Sequence, residues 1–323
     1  MFENFINQFW PATVDGISLG AIYALIALGY TMVYGVLRLI NFAHSEIFMI
    51  GTIAALYAIT TIGVSAPLAG ISLIGMLVLL AAIGAVVSGS AAMALEYVAY
   101  RPLRRRGSSR LAALISAIGA SIFLQQLFAL LVIPKLFHRR QEGGRLPVQA
   151  PNWVQRGDVI SIGDFVVRND KLLIVVGAVL MMVVLDQVVR RTKLGRGIRA
   201  TAQDAETAVL MGVNIDRIVT ATFAIGGAMA GIAAALYLMR FESTDYFVGF
   251  LLGIKAFTAA VLGGIGNLRG ALVGGFTLGL IELYGSALFG SEWRDVVAFS
   301  VLVLVLMFRP TGILGESLQR TRA

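Results

Sequence analysis

Long apolar runs recur along this 323-residue chain and constrain its fold more than any other feature. A helix of about 20 apolar residues is long enough to cross the hydrocarbon layer of a membrane. Charged residues make up 14% of the chain, whereas soluble domains carry roughly a quarter. The runs lie at 12–36, 43–62, 67–98, 111–133, 172–189, 218–239, 247–265, 271–288 and 293–309. The sequence therefore predicts an all-α fold, a polytopic transmembrane helical bundle of about eight to nine spans, in which residues 1–323 form a single domain embedded in the lipid bilayer.

The basic residues predict the orientation of the bundle. The net charge is +8, but Lys and Arg cluster at the ends of apolar runs, which favours membrane orientation over nucleic-acid binding. The loop 101–110 carries five arginines and the segment 190–217 carries six Lys or Arg residues. Basic loops of membrane proteins are usually cytoplasmic, so both segments are predicted to face the cytoplasm. The two spans between them agree with this, because an even number of spans places both segments on the same side. The same parity places the N-terminus and the loop 135–170 outside.

Two places predict interruptions of the helices. The run 43–62 follows the polar sequence LRLINFAHSE, so it is either a full span or a broken, re-entrant helix. Residues 263–270 contain four glycines, which favours a break whose half-helix ends face a pathway. Close helix packing through small residues is the other interpretation, here and for GGAMAG at 226–231.

Ionisable residues inside apolar runs are a further functional signal, because each costs about 2.5–3.5 kcal/mol at the centre of a membrane helix. Lys255 lies deep in such a run and has two interpretations, a pathway residue or an internal ion pair with Glu282 or Glu46. Glu96 adjoins a basic loop and is predicted to pair with Arg101 or Arg104. The predicted pathway residues are Asn41, His44, Glu46, Lys255, Gly263, Gly264 and Gly266.

The segment 190–217 is predicted to contain a cytoplasmic helix from Thr201 to Met211. Thr201 and Asp204 resemble a capping box, and Gly212 is a natural helix stop. Small residues share one face of this helix, which predicts a knob that fits a groove on another protein. The members of that face are Ala205, Ala208, Val209 and Gly212. A helix lying on the membrane surface is the alternative, but that role needs bulky apolar anchors.

The sequence lacks the common motifs for nucleotide binding, zinc-dependent hydrolysis and serine hydrolase activity. There is no G-x-x-x-x-G-K-[ST], H-E-x-x-H or G-x-S-x-G. The chain has no cysteine, and His44 has no second His nearby at metal-ligand spacing. We therefore expect no catalytic residue, no metal site and no cofactor in this chain. The stretch ISIGDFVVR predicts a small hairpin that turns at Gly163-Asp164.

Several stretches together resemble one family, the permease subunit of ABC importers for branched-chain amino acids, specifically the H-type subunit of the Leu/Ile/Val system. They are SLGAIYALIALGYTMVYGVLRLINFAHSEIFMIG, EYVAYRPL, LAALISAIGASIFLQ, GRGIRATAQDAETAVLMGVNIDR, GIKAFTAAVLGGIGNLRGALVGG and RDVVAFSVLVLVLMFRPTGILG. The resemblance spans nearly the whole chain. Its most specific parts are INFAHSE and IKAFTAAVLGG, whereas the glycine-rich breaks are also similar to those of sugar permeases.

The resemblance implies a set of partners. They are a second homologous permease subunit, two cytoplasmic ATPase subunits that carry the ATP and Mg, and an extracytoplasmic substrate-binding protein, all at the bacterial cytoplasmic (inner) membrane. The coupling segment that contacts the ATPases carries over onto Gly195, Arg199, Asp204, Ala205 and Gly212.

Two alternative functions stay open. Related permeases import urea or short amides. A secondary transporter without a motor would use charged groups such as Glu46, Lys255 and Glu282 to bind ions. A membrane-embedded enzyme is disfavoured because no nucleophile–base pair or metal set is present.

Overall fold

The computed structural model describes the backbone of residues 2–64, 66–138, 144–162 and 165–315, and the side chains of these residues except 2–7 and 161–165. Thirteen α-helices form in this part of the chain. The helices are α1 Phe2–Leu37, α2 His44–Ile62, α3 Gly70–Leu95, α4 Arg101–Arg105, α5 Arg110–Leu127, α6 Ile133–Leu136, α7 Asn169–Arg191, α8 Lys193–Gln203, α9 Ala205–Leu210, α10 Ile215–Phe241, α11 Val248–Gly263, α12 Leu268–Phe289 and α13 Arg294–Phe308. Single π-helical turns at Glu96–Tyr100 and Phe128–Val132 join α3 to α4 and α5 to α6.

The predicted helical membrane bundle is confirmed, since each predicted apolar run corresponds to a helix. Seven helices of the described chain are long and apolar enough to cross a membrane. The remaining two runs form α11 and α13, which have 16 and 15 residues. The run 43–62 forms one continuous helix, α2, so the break lies before it, at 38–43.

The core of the bundle is built by helices that approach through glycine. Helices α1 and α12 pack along their length, as do α3 and α10. A Cβ atom on Gly20 would lie 2.6 Å from the carbonyl oxygen of Gly275, and one on Gly84 would clash with the backbone of Gly231. Only glycine permits this backbone approach, which in lipid is a main source of helix association. The packing interpretation is thereby confirmed for the 226–231 glycines.

One end of the bundle gathers the basic segments. Asp216, at the start of α10, forms salt bridges with Arg104 at 2.6 Å and with Arg105 at 2.7 Å. Arg38, after α1, donates to the carbonyl oxygen of Ala202 in α8. The loop 101–110 and the segment 190–217 therefore lie at the same end of the bundle. This agrees with the prediction that both face the same side of the membrane.

The opposite end carries the short strands. Strand β1, Val148–Gln149, pairs antiparallel with β4, Ser243–Thr244, which follows α10. Strands β2, Asp158–Ile162, and β3, Phe165–Arg168, form the predicted hairpin. Its predicted turn at Gly163-Asp164 lies outside the described residues. The described part of the loop 135–170 thus lies at the other end from the basic segments.

Candidate functional site

The helix break that the sequence predicted at 41–46 is observed at 38–43, and it runs from the surface of the bundle into its interior. Arg38 adopts a left-handed backbone conformation, with φ of 53°, and reverses the chain after α1. Asn41 is buried, and its Oδ1 accepts a hydrogen bond from the Tyr100 hydroxyl at 2.8 Å. The His44 amide bonds to the Asn41 carbonyl oxygen at 3.1 Å. Protein groups therefore satisfy this non-helical backbone, as a break within a membrane domain requires.

Glu46, in the first turn of α2, is completely buried. Its Oε1 accepts hydrogen bonds from Ser45 Oγ at 3.2 Å, Ser121 Oγ at 3.0 Å and Gln125 Nε2 at 2.9 Å. Its Oε2 has no hydrogen-bond partner among the described residues. Glu46 is therefore not the ion-pair partner of Lys255 that one interpretation of the sequence proposed.

His44 is also buried, and it packs its ring against the edge of Tyr30 with ring centroids 4.8 Å apart. Its Nε2 has no hydrogen-bond partner among the described residues. A Cβ atom on Gly29 would clash with this ring. Asn41, His44 and Glu46 are thus three buried polar side chains at the break and the start of α2, and we call them the polar seam.

The start of α11 lies directly against this seam. A Cβ atom on Gly249 would lie 2.5 Å from the Ser45 carbonyl oxygen and 3.1 Å from Glu46 Oε2. A Cβ atom on Gly253 would lie 3.2 Å from the Tyr30 hydroxyl oxygen. Two glycines of α11 therefore allow its backbone to touch the polar start of α2.

Lys255 forms the internal ion pair that the sequence allowed. Its Nζ lies 2.8 Å from Glu282 Oε1 and 2.6 Å from Asp295 Oδ1. Glu282 Oε2 also accepts from the Tyr23 hydroxyl at 2.9 Å. The cluster joins α1, α11, α12 and α13. Asp295 was missed although it lies within the last apolar run, 293–309, because it stands at the start of that run, where an acidic residue is ordinary. Only the packing shows its partner.

The glycine break between α11 and α12 is confirmed. Gly264 and Gly266 have φ of 106° and 98°, which residues with a side chain rarely adopt. Asn267 caps α12 by accepting from the amides of Arg269 at 3.0 Å and Gly270 at 3.3 Å. The freed carbonyl oxygens of Leu262 and Gly263 accept from the amides of 313–314.

The two breaks do not meet. Gly263 lies at the opposite end of α11 from Gly249, which for a helix of this length is about 20 Å. Asn41, His44 and Glu46 therefore lie in one part of the structure, whereas Gly263 and Gly264 lie beside the segment 309–315. A Cβ atom on Gly266 would meet no neighbour within 4 Å.

The predicted helix from Thr201 to Met211 is instead two helices, α8 and α9. Asp204 interrupts it, because its carboxylate accepts from the amides of Glu206 at 3.0 Å and Thr207 at 3.2 Å and so starts a new helix. Thr201 is buried within α8 and caps nothing, so the predicted capping box is wrong. The predicted stop at Gly212 is confirmed by its φ of 83° directly after α9.

The predicted small-residue face also needs correction. Ala208 is only 4% exposed, so its methyl group packs within this chain and does not face outward. Ala205 and Gly212 are exposed. The most exposed apolar side chains of the segment are Leu210 and Met211, at 85% and 80%, beside Val209 at 53%. We call Val209, Leu210 and Met211 the α9 tip. The sequence signal for it was three apolar residues directly before the stop.

Gly195 and Arg199 anchor α8 to the end of α7. The Gly195 amide bonds to Thr192 Oγ1 at 3.0 Å, and a Cβ atom there would clash with the Val189 backbone. Arg199 donates to the carbonyl oxygen of Val189. Both residues therefore set the direction in which α8 and α9 leave the bundle.

The predicted partners of Glu96 are confirmed. Its carboxylate, which is fully buried, lies 3.0 Å from both Arg101 and Arg104. Arg104 continues to Asp216, so the network fixes the end of α3 to the start of α10. Within the described residues, no three His, Cys, Asp or Glu side chains lie together as metal ligands would.

A multi-pass helical bundle with a buried polar seam, glycine breaks and an exposed apolar tip on a polar loop is the architecture of a membrane transport protein. The family model described as "Branched-chain amino acid transport system / permease component" matches residues 12–306. The chain belongs to this family, and it is a multi-pass inner-membrane protein.

Relatives extend over nearly the whole chain. It is 44% identical over 312 residues to the high-affinity branched-chain amino acid transport system permease protein BraD of Pseudomonas aeruginosa, covering 96% of this chain and 97% of that protein. It is 41% identical over 323 residues to the permease protein LivH of Escherichia coli, described in the same words, covering 98% of each chain. The fructose import permease protein FrcC of Rhizobium meliloti is 32% identical over 140 residues, which is 41% of this chain and 39% of that protein.

Proposed function

We propose that this chain is the membrane-spanning permease subunit of an ATP-driven importer that moves branched-chain or related hydrophobic amino acids into the cytoplasm. The observation that carries the proposal is the similarity to BraD and LivH over 96–98% of the chain.

The exposed α9 tip supports the proposal that a separate ATPase subunit drives transport. Leu210 and Met211 are large apolar side chains exposed on a polar segment, where water contact is unfavourable unless a partner covers them. The sequence has no nucleotide-binding motif of its own. We therefore assign the tip to the surface that docks on a cytoplasmic ATPase subunit, which binds ATP and Mg. This chain itself makes and breaks no covalent bond.

The fold supplies a connection from that surface to the seam. α8 is anchored on α7 through Gly195 and Arg199, and its last turn is tied to the α1–α2 break through Arg38. When ATP closes the motor subunits, a push on α9 reaches both contacts. The motor must contact the outward-open and inward-open bundles differently, because a ligand shifts an equilibrium only by its differential affinity.

The other proposed partners follow from the family. A second homologous permease subunit completes the route, and an extracytoplasmic binding protein delivers substrate to the end that carries β1 and β4. A motor-independent secondary transporter would leave the exposed α9 tip without a role. An importer of urea or short amides would keep the same architecture, so the substrate is the quantity to test.

The test is reconstitution of the chain with its second permease subunit, ATPases and binding protein in liposomes. We expect uptake of radiolabelled leucine that requires ATP hydrolysis and is inhibited by excess isoleucine or valine. Urea uptake without leucine uptake would establish the amide alternative. Uptake driven by an ion gradient without ATPases would contradict the motor.

A further inference from the structure

The carboxyl group of Glu46 is satisfied on one oxygen only. Oε1 accepts three hydrogen bonds, from Ser45, Ser121 and Gln125. Oε2 is buried and has no partner among the described residues. Buried polar atoms are normally hydrogen-bonded, so an orphan carboxylate oxygen at the centre of a bundle requires an explanation.

Neither protonation state of Glu46 gives Oε2 a hydrogen-bond partner among the described residues. If the group is ionised, it has no Lys, Arg or His ion-pair partner within the described chain, and a buried unpaired charge is strongly unfavourable. If it is neutral with the proton on Oε1, that proton can be donated to Ser45 Oγ, whose own hydroxyl lies 2.7 Å from the Phe42 carbonyl oxygen, and Oε2 remains an acceptor without a donor. With the proton on Oε2, that hydroxyl lacks an acceptor among the described residues. In each state Oε2 lacks one partner among the described residues, and a bound molecule can supply it.

The surroundings of Oε2 select the chemistry of that partner. A compact cation with several N–H donors fits an open carboxylate oxygen, which is the description of an ammonium group. The helix starts of α2 and α11 meet at the same place, where Gly249 touches Ser45. The positive ends of two helices favour a carboxylate close by. A zwitterion has both groups, separated by one carbon atom.

The seam also has a simple way to open. Gly249 and Gly253 contribute no side chain between α11 and the start of α2. Moving the start of α11 away from α2 therefore exposes Glu46 Oε2, with the Tyr30 hydroxyl and Ser45 Oγ beside it. The side chain that has to shift is Phe257, one turn beyond Gly253, whose ring packs against Tyr30 and Phe42.

Resting on the proposed import of amino acids, we infer that Glu46 Oε2 binds the α-ammonium group of the substrate in the route between α2 and α11. Ser121 and Gln125 are positioning residues, because they hold Oε1 and leave Oε2 free.

The first test uses the complete transporter in liposomes with leucine loaded on its binding protein. Glu46→Gln keeps the size of the side chain and removes its charge; we expect leucine uptake to fall by about tenfold or more, with assembly and basal ATPase activity retained. Ser88→Ala is the control, because Ser88 is a buried polar residue that bonds to α2 at Ile47 and does not contact Glu46. Its uptake is expected to stay near that of the unaltered protein.

A second readout uses the unaltered complex and so does not depend on folding of a variant. Dicyclohexylcarbodiimide, an apolar reagent for carboxyl groups, is added in the presence of ATP and of binding protein that is either leucine-free or leucine-loaded, and mass spectrometry follows the peptide that carries Glu46. We expect Glu46 to be modified during turnover and leucine to slow that modification. Glu46 that is never modified, or is modified at the same rate with leucine, overturns the assignment.

The two proposals fail in different ways. Equal leucine uptake by Glu46→Gln and the unaltered transporter overturns the ammonium assignment alone. Absence of amino-acid uptake by the unaltered transporter overturns the proposed function, and the assignment with it.

Discussion

Arg38 Nη2 donates a hydrogen bond to the carbonyl oxygen of Ala202 over 3.0 Å, and 164 residues of chain separate the two. Arg38 begins the break between α1 and α2, and Ala202 lies in the last turn of α8. The contact therefore joins the polar seam to the segment that we assign to the motor. In the described structure it provides a direct path for a push on α8 to reach the start of α2.

We expect Arg38→Gly to uncouple ATP hydrolysis from uptake. Glycine adopts the left-handed conformation of Arg38 without strain, so the variant removes the guanidinium and preserves the backbone. The lost hydrogen bond is worth about 0.5–1.5 kcal/mol, too little to unfold the protein. The measurement is leucine transported per ATP hydrolysed. Arg110→Ala, which removes an exposed arginine elsewhere at the same end, is the control, and an unchanged ratio in Arg38→Gly would refute the coupling path.

The α9 tip gives a second prediction. Leu210→Asp combined with Met211→Asp should weaken binding of the ATPase subunits, because it places charges in an apolar contact. Both side chains are exposed in this chain, so its own stability should change little. Copurification of tagged ATPase from detergent extracts measures the effect. Val159→Asp is the control, because Val159 is exposed at the opposite end of the bundle, and this variant should copurify with the ATPase normally. Normal copurification of the ATPase with the tip variant would show that the α9 tip is not part of the docking surface.

Membrane sidedness can be measured directly, because the chain has no cysteine. Ser108→Cys, in the basic loop, should resist a membrane-impermeant thiol reagent in intact cells. Asn152→Cys, exposed at the end that carries β1, should react with it. Both should react after the membrane is permeabilised. Labelling of Ser108→Cys from outside would invert the predicted topology.

The Lys255 cluster predicts a stability effect. Lys255→Met leaves Glu282 buried without its closest cation, which for a buried pair costs about 3–5 kcal/mol. We expect a lower unfolding temperature in detergent and a reduced yield of assembled complex. Lys255→Met with Glu282→Gln should recover part of the loss, because the buried carboxylate at 282 is then removed, whereas Asp295, which also loses Lys255, is half exposed. A single variant with normal stability and lost uptake would instead favour the pathway role.

The α9 cap predicts a dependence on pH. Hydrogen bonds from the Thr207 hydroxyl and from the amides of Thr207 and Glu206 lower the pKa of the Asp204 carboxyl below its ordinary value. Stabilisation of α9 is therefore present above about pH 4, the ordinary value for Asp, and is lost as pH falls through the lowered value. The protection factor of the α9 amides, which is the exchange rate corrected for its intrinsic pH dependence, should be constant between neutral pH and that range. Asp204→Ala should speed amide exchange at neutral pH, whereas Asp204→Asn, which still accepts, should speed it less; equal rates for all three would exclude the cap.

Local features of the sequence were enough to predict local features of the structure. The apolar runs predicted the positions of the helices, since hydropathy and span length are properties of one segment, but α1 begins at Phe2, well before the predicted run 12–36. The glycines predicted the break at Gly264 and Gly266 and the stop at Gly212, because positive φ is a local requirement. Asp204 was assigned to a capping box with Thr201 inside one continuous helix. In the structure it ends α8 and caps the start of a second helix, α9.

The sequence by itself determined that the chain is a helical membrane protein with two interrupted regions, a basic end and a family of amino-acid permeases that it resembles. Only the tertiary structure decided which buried charges meet: Lys255 pairs with Glu282 and Asp295, and Glu46 keeps one oxygen free. It also decided that Ala208 faces inward and that Leu210 and Met211 face outward. The reason is physical, since hydropathy and helix propensity act along the chain, whereas the partner of a buried group depends on which distant helices their glycines allow to approach.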